Sequence, residues 1–144
     1  MSDDTAGFIK MDKGAYEATT EGVRISVQPF YLEGESDPEE GRYFWAYQVQ
    51  IENIGAETLQ LKSRYWRITD STGRTEEVLG EGVVGEQPVI EPGFAFEYTS
   101  GAPLSTTSGF MTGHYKMYKK DGSSFEAEIP AFSLDSPHEP PTLN

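Results

Sequence analysis

Between Tyr43 and Ile51 the chain alternates strictly, with Tyr43, Trp45, Tyr47, Val49 and Ile51 on one side and Phe44, Ala46, Gln48 and Gln50 on the other. Successive side chains of a strand point to opposite faces, whereas a helical period would scatter the five large residues around a cylinder. The stretch therefore reads as a strand with one face in a core. The same period of two recurs elsewhere. Val23, Ile25 and Val27 form an earlier set, limited or bulged by Pro29. Phe94, Phe96 and Tyr98 form another, as do Met111, Gly113, Tyr115 and Met117, and then Phe125, Ala127 and Ile129.

One segment changes phase. Leu59 and Leu61 share a face, but Trp66 and Ile68 share the other. A β-bulge near Ser63, or a strand passing between sheets, reconciles the halves. Turn signals separate the runs: Glu33 to Gly41, Asn53-Ile54-Gly55, Asp70 to Gly73, Glu91-Pro92-Gly93 and Asp121-Gly122. Gly and Asn supply positive φ and Pro presets a turn, and Asp-Gly between two alternating runs signals a hairpin. Nothing sustains a helical period. The expectation is an all-β chain, an immunoglobulin-like or fibronectin type III-like antiparallel sandwich of about seven or eight strands.

The length of 144 residues suits one domain. Residues 1–15 read as a loose polar leader, 16–134 as the sandwich, and 135–144, with Pro137, Pro140 and Pro141, as an extended or disordered tail. Cysteine is absent, which excludes disulfides and thiolate metal sites. The beginning of the chain carries Asp3 and Asp4 and no apolar run, so it does not read as a secretory signal, and no stretch approaches the length of a membrane span. A cytoplasmic location is the default expectation. Eleven basic residues stand against 24 acidic ones, a formal charge of −13, with Lys119-Lys120 as the one adjacent basic pair. That balance argues against nucleic acid, whose binding rests on Lys and Arg neutralising phosphates. It favours solubility, and it admits a basic protein partner or a hard divalent cation.

Three features carry candidate chemistry. Gly80-Glu81-Gly82-Val83-Val84-Gly85 has the spacing G-x-G-x-x-G. Dinucleotide loops of that spacing need a following helix whose N-terminal amides hold the pyrophosphate, and here Glu86-Gln87-Pro88 follows instead. Gly80, Gly82 and Gly85 remain candidates for a small anion or nucleotide loop. The competing reading is a glycine-rich turn or bulge, which the like charges of Glu81 and Glu86 favour. The acidic loop Glu33, Glu35, Asp37, Glu39 and Glu40 is either a weak hard-cation site or a solvated turn, and the second is preferred. His114 and His138 belong to no catalytic or metal-ligating pattern, so no catalytic residue, metal site or cofactor is assigned. Tyr43-Phe44-Trp45 and Tyr65-Trp66 put aromatics on both faces of their strands, so one face is a candidate interface.

These blocks together resemble the ApaG family. The resemblance rests on Arg42 to Tyr47 with Ile51-Glu52-Asn53, Arg64 to Asp70, Gly80 to Pro88, Phe96 to Gly101, Gly113-His114-Tyr115 and Ile129 to Phe132, in order across about Tyr16 to Leu134. It implies a fibronectin-type sandwich and an association with cobalt resistance and magnesium efflux, without an established enzymatic activity. Similar domains end certain eukaryotic F-box proteins and occur in a DNA-polymerase-interacting protein, where they look like interaction modules. The family's glycine motif, regarded as a candidate nucleotide or pyrophosphate site, maps onto Gly80, Gly82 and Gly85. The implied function is a non-enzymatic binding module with a protein partner, linked to divalent-cation homeostasis. A nucleotide- or pyrophosphate-binding protein or enzyme is the alternative.

Overall fold

The structure, a computed structural model, describes residues 15–138. The leader, apart from Ala15, and the last six residues of the tail lie outside the described residues. Nine strands follow one another: β1 Tyr16–Thr20, β2 Val23–Tyr31, β3 Tyr43–Asn53, β4 Leu59–Asp70, β5 Thr75–Glu81, β6 Val89–Ile90, β7 Ala95–Leu104, β8 Ser108–Lys119 and β9 Ser124–Asp135. They form two antiparallel sheets, one in the order β1-β2-β3-β7 and the other β5-β4-β8-β9, with β6 also pairing β4. Among the described residues no helix is long and apolar enough to cross a membrane. The architecture is the all-β sandwich expected, with nine strands rather than seven or eight. Two of the nine are short or polar: β6 has two residues, and β5 is the edge strand TEEVLGE.

The core lies where the alternation puts it. Tyr43, Trp45, Tyr47, Val49 and Ile51 are all buried, against Val23, Ile25 and Val27 of the neighbouring strand. Facing them from the other sheet are Leu61, Trp66, Met111, Tyr115, Met117, Ile129 and Phe132. Several polar links cross between the sheets. Trp45 Nε1 donates to the Asp135 carbonyl at 3.0 Å, and the hydroxyls of Tyr98 and Tyr115 hydrogen-bond each other inside the core. Burial pushes the pKa of both tyrosines up, so each hydroxyl stays neutral and one donates to the other.

Three local features differ from expectation for physical reasons. Pro29 does not limit β2, which continues to Tyr31 with Pro29 opposite Tyr47. The β1 pairing stops at Tyr16↔Val27, leaving Pro29 at an edge where a missing N–H is tolerated. Phe94 lies just before β7, 66% exposed, because its amide closes the Glu91–Gly93 turn on the Glu91 carbonyl. The chain past β9 is packed at its start: Ser136 N donates to Thr107 O, and His138 lies against the rings of Tyr31 and Tyr43.

On the outer face of β7, Glu97 sits opposite Gln50. Its Oε2 is buried without a hydrogen-bond partner among the described residues, and burial pushes its pKa up to about 7 from an ordinary 4.5. Between those values the folded state holds a proton that the unfolded state has lost, so stability falls as pH rises through this window. Urea midpoints measured below and above the window are expected to show that fall, and Glu97→Gln should flatten it. An unchanged slope in the variant would contradict the assignment.

Candidate functional site

The phase change in β4 is a bulge. Against β8, Leu61 pairs Met117 and Ser63 pairs Lys116, which leaves Lys62 unpaired. A bulge re-aims the backbone locally, and here the Lys62 carbonyl becomes a seat. It accepts from the Gly82 amide at 2.9 Å and from Gln87 Nε2 at 2.8 Å. Gln60 Nε2 donates to Gln87 O, and Leu61 N donates to Pro88 O. The segment from Gly80 to Pro88 is thereby fastened along β4.

The three glycines have distinct roles in its shape. Gly80 pairs with Arg64, and a Cβ added there would fall 2.7 Å from the guanidinium carbon. The missing side chain lets Arg64 cross to donate through Nη1 to Glu81 O at 3.0 Å and Gly82 O at 2.8 Å. Gly82 has φ +66°, and an added Cβ would lie 2.2 Å from Glu86 O. Gly85 has φ +83° with open space around it. Val83 N donates to Glu86 O and Glu86 N donates back to Val83 O, closing a tight hairpin over Val84-Gly85. Both central residues have positive φ, the signature of a type I′ turn. Val83 is buried in the core while Val84 is 57% exposed at φ +42°. That conformation is uncommon for any residue with a Cβ and a marked outlier for a β-branched one.

The amide of Gly82 is thus committed to Lys62, those of Val83 and Glu86 to each other's carbonyls, and no helix follows. Glu81 and Glu86 are exposed beside the turn. Sequence reasoning singled out the glycines but missed Arg64, Gln60 and Gln87. Their roles depend on the register Arg64↔Gly80, a pairing invisible to local pattern.

The remaining candidates are dispersed. His114 stacks on Tyr65 with ring centroids 5.0 Å apart, its Nε2 3.5 Å from Glu126, on the outer face of the five-stranded sheet. Tyr65 donates its hydroxyl to Glu77, so Tyr65 is the outward member of the Tyr65-Trp66 pair and Trp66 the buried one. His138 Nε2 lies 3.5 Å from Glu33, beside a different sheet. The acidic loop forms two short turns, Glu33–Glu35 and Pro38–Glu40, with Asp37 3.5 Å from Arg42. Among the described residues no three His, Cys, Asp or Glu side chains are grouped to hold a metal ion.

A two-sheet antiparallel sandwich carrying a glycine hairpin braced on a bulged strand defines the structural class. The chain belongs to the ApaG family: the family model of the ApaG domain (DUF525) matches residues 33–119. The protein ApaG of Brucella anthropi is 59% identical over 129 residues, covering 90% of this chain and 99% of that protein. Its counterpart in Brucella suis biovar 1 is 57% identical over the same span. A crystal structure from Bordetella pertussis, of a protein named ApaA, superposes with a TM-score of 0.78 at 45% identity, covering 81% of this chain and 95% of that one.

Proposed function

We propose that the chain is a non-enzymatic binding module that engages a protein partner through the glycine hairpin and the surface around it. The observation that carries this reading is Val84, an exposed β-branched residue held at positive φ on a turn fastened to β4 through Gln60, Lys62 and Arg64. Strain of this kind persists where the surroundings over-determine it, and it clusters at functional positions. Against a phosphate cradle at Gly80, Gly82 and Gly85 stand the committed Gly82 amide and the two neighbouring carboxylates. The family's association with cobalt resistance and magnesium efflux then runs through the partner, in the cytoplasm, rather than through an ion held by this chain.

Val84→Asn tests the reading because it separates stability from function. Asn-Gly is the favoured pair for a type I′ turn, so relief of strain should stabilise the fold by about 1 kcal/mol. Partner capture from native lysate should nevertheless be lost. Retained capture by the more stable variant would remove the hairpin tip from the interface.

A further inference from the structure

All four lysines between residues 15 and 138 lie on β4, on β8 or in the turn after it, namely Lys62, Lys116, Lys119 and Lys120. Three of them line a groove of about 390 Å³ on the five-stranded sheet, together with Gln60, Val89 and Tyr118. The groove adjoins the hairpin, since Gln60 and Lys62 are the residues that hold Gln87. Its charge is partly answered from within the chain. Lys119 lies 3.6 Å from Glu57 and 4.0 Å from Glu21, while Asp121 is tied to Ser123. Lys62 covers the Tyr118 ring at 5.6 Å, and Lys120 is exposed. Val89, 59% exposed, gives the groove an apolar wall.

We propose that this groove seats an acidic, extended segment of a partner protein. Charge complementarity selects that occupant on a chain whose net charge is −13. An acidic segment is repelled by most of such a surface, and complementary charge steers association and fixes register. Carboxylates of the segment meet Lys62 and Lys120, while an aliphatic side chain meets Val89 and the face of Tyr118. The proposal rests on the protein-binding reading above and names the chemistry of the partner.

The test is fluorescence anisotropy of the full chain with a labelled glutamate-rich peptide containing one leucine, beside the same peptide with glutamine and with lysine for glutamate. The glutamate peptide should bind, weaken with salt, and lose about tenfold or more in affinity to the Lys62→Glu/Lys120→Glu variant, with an unchanged melting temperature as the folding control. Equal binding of the glutamate and glutamine peptides would overturn the proposal, as would an unaffected double variant. Displacement by inorganic phosphate at concentrations comparable to the peptide would also overturn it, by showing a small-anion site. If the peptide fails to bind while Val84→Asn still abolishes partner capture, the groove assignment falls and the interaction reading stands. If the peptide binds as expected and capture does not depend on Val84, the hairpin reading falls and the groove remains.

Discussion

Gly82→Ala is expected to destabilise the fold by about 3 kcal/mol, the combined scale of left-handed strain and of overpacking. The glycine's φ of +66° is unfavourable for alanine, and the new methyl would sit 2.2 Å from Glu86 O and 2.9 Å from its carbonyl carbon. Those are backbone atoms, which cannot swing aside as a side chain does. Relief requires breaking either the Val83–Glu86 pair or the Gly82–Lys62 bond. Gly85→Ala is the matched control: its φ is +83° but nothing lies within 4 Å, so it carries the conformational cost alone, about 1 kcal/mol. Urea denaturation of both variants should give that order. Equal losses would mean that the close approach at Gly82 is relieved without cost. A pyrophosphate titration of the same proteins addresses the phosphate alternative. Tight binding by the unmodified chain, lost in a Gly82→Ala variant of full stability, would reverse the reading of the motif.

Trp45→Ala is expected to cost about 3–5 kcal/mol, the range for truncating a buried Trp. Trp45 is 1% exposed, packs edge-on to Tyr31 at 5.4 Å, and donates across the sandwich to Asp135 O. The variant opens a cavity and removes one of the polar links between the sheets. Trp45→Phe keeps much of the ring and loses the donor, which isolates a hydrogen bond worth about 1 kcal/mol from the packing. Thermal melts of the three proteins should rank the unmodified chain above Trp45→Phe and that above Trp45→Ala. An unchanged melting temperature for Trp45→Ala would place this face of β3 outside the core.

What the sequence made legible followed from period and burial acting together. The Tyr43–Ile51 set faces the core because alternation needs no knowledge of the partner strand. The phase slip after Leu61 likewise announced a bulge. What the bulge is for was not legible, because Lys62 meets Gly82 and Gln87 only through non-local pairing. Strand β5 escaped notice because Glu76-Glu77 and an exposed Leu79 give an edge strand no buried face to alternate about. Phe94 was drawn into the strand pattern by its neighbours, although Gly93, at φ +87°, had not yet released the chain from its turn. The lysine groove is assembled from β4 and β8, which lie far apart in sequence and touch only in the sheet.

The hairpin is held by main-chain carbonyls at Lys62, Glu81, Gly82 and Gln87 and by the side chains of Arg64, Gln60 and Gln87. The outward side chains at Glu81, Val84 and Glu86 take no part in those bonds. Shape and chemistry are therefore inherited separately: the loop's course is written into the bracing residues, and its lettering at three positions is open to revision. A lineage could retarget such a surface by substitution at those positions without re-evolving a loop, and a designer could randomise the same three on an otherwise fixed frame.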